Sequence, residues 1–283
     1  MIGGLFLSQN GSVTKKMHYL CGVINRIMQR RDFIKNSILA SLALAAQPLA
    51  AMGDKKEQAV KNVPLNMKKI MIIDGGPRRN MNTAAMVEAF TNGAKSVGEQ
   101  IEVKHVRLYD LDPYKGCMSC MACKVKGKSS RICKFPDPLK PVLEEASLAD
   151  GLVLASPIFM GDRTAMLQEF VERIVFPWLC YADGSVTAVK KMPVAFIYTM
   201  NATAEQAPII YKQLEISENM FAMALGKTER VEAFNTYQMK DYSRFEFSDD
   251  APAAKQAYKD AHWEQDLQKA TDAGKRMAEK ILS

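Results

Sequence analysis

Histidine is scarce in this chain of 283 residues, with three in all. His105, on an edge-strand pattern, and His262, at the start of the last helical pattern, have no identifiable Asp, Ser or Cys partner for nucleophilic work, and both read as surface or packing residues. The chain lacks the Gly-Lys-Ser/Thr of a nucleoside triphosphate loop and the three-glycine dinucleotide pattern. It also lacks an apolar run long enough to anchor it in a bilayer, which takes about 20 residues, because Asn36, Ser37, Ser41, Gln47 and Pro48 interrupt the best candidate. A basic surface is missing too, although the net charge is +7. The excess sits in residues 1–51, where Lys15, Lys16, Arg26, Arg30, Arg31 and Lys35 face Asp32 alone. The remaining 232 residues carry 32 basic and 30 acidic side chains, too even a balance to track a nucleic-acid backbone. Internal repeats, low-complexity tracts and a second domain are absent as well.

The N-terminus reads as an address. Arg30-Arg31-Asp32-Phe33-Ile34-Lys35 resembles the twin-arginine (Tat) export motif, followed by an alanine-rich apolar stretch from Ile38 to Ala46 and small residues for cleavage at Gln47 to Ala51. Met28-Gln29-Arg30-Arg31 reads as the natural start of such a signal. The expectation is a leader over 1–51, a flexible spacer over 52–67 and one domain over 68–283, exported to the periplasm by the Tat translocase with no stable membrane span.

Within that domain, continuous apolar runs alternate with 3.6-residue periods. Lys69 to Ile73, Gly151 to Ala155 and Val194 to Tyr198 read as strands buried on both faces, Ile101 to Val106 as an edge strand, and Arg230 to Phe234 as a fifth. Helices are expected at Val87 to Val97 with Asn82 or Thr83 as cap, after Asp137-Pro138, around Leu167 to Ile174, and over Ile209 to Leu225 and Trp263 to Ile281. Strands alternating with helices predict an α/β fold, a doubly wound parallel sheet between two helical layers. Ligands of such sheets bind beyond the carboxyl ends of the strands, where the strand order reverses.

The first loop at that edge is Gly75-Gly76-Pro77-Arg78-Arg79-Asn80-Met81-Asn82-Thr83. Glycines admit an anion close to the backbone, the helix start adds unpaired amides and a positive dipole end, and Arg78, Asn82 and Thr83 add donors; this is a monophosphate site in chemical terms. It resembles the FMN-phosphate loop of the NADPH-dependent FMN reductases, a flavodoxin-like family, with Gly76 in place of the usual serine and Met81 where a glycine is frequent. The loop Ala155-Ser156-Pro157-Ile158-Phe159-Met160-Gly161 resembles the one on which that family lays the isoalloxazine ring. The resemblance implies a five-stranded order 2-1-3-4-5, FMN held by Gly76, Pro77, Arg78, Asn82, Thr83, Ser156, Pro157, Ile158, Phe159, Met160 and Gly161, and a homodimer whose interface completes the flavin site. The loop Met200-Asn201-Ala202 departs from the family in lacking a glycine.

A cysteine loop, 116–133, lies between the second strand and its helix. Cys117, Cys120 and Cys123 are spaced by two residues each, and Cys133 follows nine residues later. Four thiolates so spaced can converge on a [4Fe-4S] cluster or a zinc ion, and in an oxidising compartment they can pair as disulfides. The spacing resembles that of iron-sulfur flavoproteins, a branch of the same family. Cys21 falls in the leader, and Cys180 reads as a buried small hydrophobe. Met118, Met121 and Met160 read as gap-fillers near the loops. The expected activity is an FMN-dependent oxidoreductase carrying electrons from NAD(P)H to a small acceptor such as a quinone or flavin, with catalysis residing in the flavin. The alternatives are an electron-transfer protein serving a protein partner, and a flavodoxin-like protein whose cysteines form disulfides.

Overall fold

The computed structural model describes residues 67–246 and 251–283. The twin arginines, the apolar stretch, Cys21 and the spacer up to residue 66 lie outside the described residues.

Five parallel strands form the sheet: β1 (Lys68–Asp74), β2 (Ile101–Arg107), β3 (Gly151–Phe159), β5 (Val194–Thr199) and β6 (Thr228–Ala233), in the order β2-β1-β3-β5-β6. This is the expected 2-1-3-4-5 order with one addition, the two-residue β4 (Asp162–Arg163), which pairs antiparallel with the end of β3. The expected loop after Ala155 is therefore largely strand. Pro157 still aligns with Thr199 of β5, and Ile158 and Phe159 pair with Arg163 and Asp162 across a tight turn.

The helices are α1 (Asn82–Lys95), α2 (Leu139–Leu148), α3 (Ala165–Val175), α4 (Ala207–Leu225) and α5 (Ala251–Leu282). Because successive strand residues point to opposite faces, each strand feeds two cores. Met71 and Ile73, Leu152 and Leu154, and Phe196 and Tyr198 pack with α2, α3 and α4. Ile70 and Ile72, Val153 and Ala155, and Ala195 and Ile197 pack with α1 and α5. Each buried Ile, Leu, Val, Phe or Met among these contributes about 1.5–3 kcal/mol.

Two glycines set the distance between α1 and α5. A Cβ on Gly93 would lie 1.9 Å from the carbonyl oxygen of Thr271, and one on Gly274 would lie 2.1 Å from that of Phe90. The two helices thus touch backbone to backbone. α5 begins 12 residues before the expected Trp263. Its first turns are mostly exposed, so they carry no apolar period for the sequence to display.

Candidate functional site

The carboxyl ends of β1, β3, β5 and β6 open onto one cleft. Its floor is the β1–α1 loop, and this loop is held in place by buried charge. Asp74 is fully buried; its Oδ1 accepts the Gly76 N–H at 2.6 Å, while its Oδ2 lies 3.2 Å from Arg107 Nη1 and 3.0 Å from His105 Nε2. Arg107 also donates to the Gly76 carbonyl at 3.1 Å. On the other side, the Gly75 N–H donates to the Ala155 carbonyl at 2.8 Å and the Thr164 hydroxyl donates to the Gly75 carbonyl at 2.8 Å. A Cβ on Gly76 would come within 2.8 Å of Asp74 Oδ1. The buried carboxylate thus fills the room a serine side chain would need, and glycine follows. His105, which the sequence left without a partner, faces Asp74.

Neither Asn82 nor Thr83 caps α1. The N-cap is Met81, no side chain accepts from the first turn, and no acidic residue stands there. The first-turn amides are left to a ligand, in the arrangement that suits an anion. Asn82 Nδ2 donates instead to the Tyr237 carbonyl at 2.6 Å, Arg78 donates to the Gln238 carbonyl, and Thr83 Oγ1 lies 2.7 Å from Thr199 Oγ1. Among the described residues Arg78 is the one charged side chain lining the cleft, so a phosphate entering it meets a cation and a helix start and none of their carboxylates in the lining.

Of the expected flavin residues, Gly76, Pro77, Arg78, Asn82, Thr83, Pro157, Ile158 and Phe159 line this cleft together. Ser156, Met160 and Gly161 do not. Ser156 is fully buried, its hydroxyl donating to the Pro157 carbonyl at 2.7 Å and accepting from the Thr164 N–H at 3.0 Å, so it braces the strand end. Met160 (φ 52°) and Gly161 (φ 85°) make the left-handed turn of the β3–β4 hairpin, and Met160 is fully exposed. Two further walls come from Thr199, Met200 and Asn201 after β5 and from Thr236, Tyr237 and Gln238 after β6. The sequence signalled the first only by strand position. It gave no sign of the second, because a backbone carbonyl as partner leaves no side-chain pattern.

The cysteine loop forms a separate pocket. Cys117, Cys120, Cys123 and Cys133 all line it, with Phe135, Phe176 and Arg173. Both ends of the loop are tied by Arg173, fully buried on α3, which donates to the carbonyls of Lys115 and Phe135 at 3.1 Å each, to Asp137, and from Nε to Cys133 Sγ at 3.4 Å. Ser119, Met121 and Arg131 adopt positive φ, an uncommon conformation for residues with side chains. Cys117 and Cys120 are exposed, Cys133 half-buried and Cys123 buried, where desolvation pushes its thiol pKa up against the pull of Lys124. The four cysteines expected as metal ligands share this pocket. Among the described residues all five cysteines are free, and no three His, Cys, Asp or Glu side chains gather closely enough to hold a metal ion. The donors suit a cluster in kind, four cysteines lining one pocket with Cys133 Sγ 3.4 Å from the Arg173 guanidinium. Cys180 is half-buried, not buried as expected.

The chain is 29% identical over 105 residues to an iron-sulfur flavoprotein of Archaeoglobus fulgidus and 30% identical over 105 residues to one of Methanocaldococcus jannaschii. Each match covers 37% of this chain and 48% or 51% of the relative, so the chain spans about half the length of the curated relatives it matches. In fold it resembles an NAD(P)H:quinone oxidoreductase from Methanothermobacter marburgensis (TM-score 0.50, 16% identity, 74% of this chain and 96% of that one). It also resembles an azoreductase from Bacillus anthracis (TM-score 0.51, 15% identity, 74% of this chain and 100% of that one). Residues 68–231, which hold both cleft loops and the cysteine loop, match the NADPH-dependent FMN reductases, and the chain belongs to that family.

Proposed function

We propose that this protein binds one FMN in the cleft and is an oxidoreductase that takes electrons from NAD(P)H and passes them to a small acceptor such as a quinone or a second flavin. The observation that carries this reading is one cleft joining an uncapped helix start, with Arg78 as its one charged side chain among the described residues, to the apolar rim of Ile158 and Phe159. When bound, FMN supplies the redox chemistry, and the chain supplies position and electrostatics. The first-turn amides of α1, Arg78 and Asn82 would hold the phosphate. Pro157, Ile158 and Phe159 would offer the apolar wall for a planar ring. Family membership supports the cofactor and the donor.

Replacing both Asn82 and Thr83 by alanine is expected to cost FMN about 1.5–3 kcal/mol of binding per lost phosphate contact, read by fluorescence titration. Steady-state turnover with NADH or NADPH and a quinone tests the activity. A flavin-loaded protein that turns over neither donor contradicts it.

The second reading adds a [4Fe-4S] cluster at Cys117, Cys120, Cys123 and Cys133, supported by their shared pocket and by the curated relatives named iron-sulfur flavoproteins. Anaerobically produced protein containing iron and acid-labile sulfide favours it; cysteines found paired by mass spectrometry exclude it. Export by the twin-arginine route and a two-copy assembly complete the proposal, and the loss of export on replacing Arg30 and Arg31 by lysine tests the former.

A further inference from the structure

The even charge balance of the domain conceals one local excess. Residues 115–134, the cysteine loop and its flanks, hold Lys115, Lys124, Lys126, Lys128, Arg131 and Lys134 and no Asp or Glu. The rest of residues 52–283 carries 26 basic against 30 acidic side chains. Where the six donate hydrogen bonds, they donate to backbone carbonyls: Lys124 to Phe176 and Leu179, Arg131 to Thr187 at 2.9 Å, and Lys134 to Lys128. The carboxylates beneath the loop are engaged with its frame, Glu172 accepting the Cys117 N–H at 3.1 Å and Asp137 accepting from Arg173. Lys115, Lys126, Lys128 and Lys134 are exposed. Beside them stand exposed apolar side chains, Met118 at 49%, Met121 at 45% and Val125 at 47%. Tyr181, 65% exposed, joins them, its ring centroid 5.6 Å from Lys124 Nζ.

We propose that this loop seats the protein on an anionic lipid surface, with the four apolar side chains at the boundary between headgroups and acyl chains and the lysines among the headgroups. A cluster of about four to eight basic residues is the pattern that anionic headgroups attract. The phosphates of a nucleic acid would meet the charge and leave the methionines in water. An acidic protein would call for arginines, which pair bidentately with carboxylates, whereas lysine is depleted at protein interfaces. Here the exposed cations of the loop are all lysines, and its one arginine is half-buried and spent on Thr187. Lysine stems run past apolar neighbours while the ammonium stays among polar groups, and thioethers adapt to a surface of no fixed shape. The loop follows the carboxyl end of β2, which runs parallel to β1, so the lipid lies at the sheet edge that bears the cleft.

Quenching by brominated lipid tests this on the purified full chain, with circular dichroism to verify the fold of each variant. Val125→Trp places a reporter in the loop, read against the parent, whose Trp178 is buried and whose Trp263 is half-buried on α5. Phosphatidylcholine vesicles with about one third phosphatidylglycerol, brominated on the acyl chains, should quench the added emission by at least about half. Vesicles of brominated phosphatidylcholine alone should leave it unchanged. Adding Lys126→Glu and Lys128→Glu should abolish the quenching. Adding Lys95→Glu and Lys280→Glu instead, on α1 and α5 across the sheet from the loop, should not. Salt at about 1 M, which shortens the screening length to about 3 Å, should release the loop. An unquenched reporter, quenching without the anionic lipid, or quenching that survives the charge reversal overturns the proposal. So does an emission that responds to polyglutamate and not to vesicles, which would assign the patch to an acidic protein. None of these residues lines the cleft, so FMN titration of the same variants reports separately on the flavin reading.

Discussion

Replacing Asp74 by alanine removes a buried carboxylate that joins the first cleft loop to the second strand. Three hydrogen bonds converge on its carboxylate, from the Gly76 N–H, Arg107 and His105. They do not count equally. The His105 side chain is 35% exposed, so that contact is largely screened, whereas Arg107 is 12% exposed and Asp74 1%. The main effect is thus a largely buried cation that loses its more deeply buried partner and keeps Asp110 at 3.4 Å and the Gly76 carbonyl at 3.1 Å, so the cost is at most about 3–5 kcal/mol. For a domain of this size each kcal/mol lowers Tm by about 2–4 °C, so the expected fall in Tm is at most about 20 °C. Asp74→Asn keeps an acceptor for Gly76 and loses only the charge, and about 1.5–3 kcal/mol is expected, the range for hydrogen bonds to charged groups. Urea unfolding with a linear extrapolation gives both differences. Asp74→Ala costing under about 1 kcal/mol, or costing no more than Asp74→Asn, would refute the argument that buried charge holds this loop.

Gly274→Ala places a methyl 2.1 Å from the Phe90 carbonyl oxygen, so α5 must move off α1; a loss of at least about 2 kcal/mol in chemical unfolding is expected, beyond the usual helix gain of alanine over glycine. Glu145 is bound first by Lys104 and then by Lys69, which hold its carboxyl below its ordinary pKa of 4.5. A depressed folded-state pKa stabilises the fold above about pH 4.5, and that contribution is lost as pH falls further. Glu145→Gln should therefore cost at most about 1 kcal/mol near neutrality, as partly exposed ion pairs do, and the difference from the parent should vanish toward pH 3 in unfolding measured across pH.

The sheet was legible because its central strands are buried on both faces and so appear as unbroken apolar runs, and because glycines punctuate their ends. The helix caps were not. Asn82 and Thr83 have the chemistry of caps, but a strap from residues 236–238 and Thr199 on β5 claim their side chains instead. The turn at Met160 and Gly161 resembled a ligand loop in sequence, while two residues of antiparallel pairing, too short to show a period, direct it away from the cleft. The same limit applied to Asp74. An aspartate at a strand end reads as a turn residue, and its role emerges only when β2 brings Arg107 and His105 alongside.

The central claim is that the β1–α1 loop binds the phosphate of a flavin, and titration of the purified protein with FMN and with riboflavin, which lacks that phosphate, tests it most directly. Two charge-assisted hydrogen bonds at about 1.5–3 kcal/mol each separate the two ligands by about 3–6 kcal/mol, or roughly 10²–10⁴-fold in Kd. One FMN per chain, bound at least about 100-fold more tightly than riboflavin, is the predicted result. Equal affinity for the two, or no binding of FMN, would contradict the account.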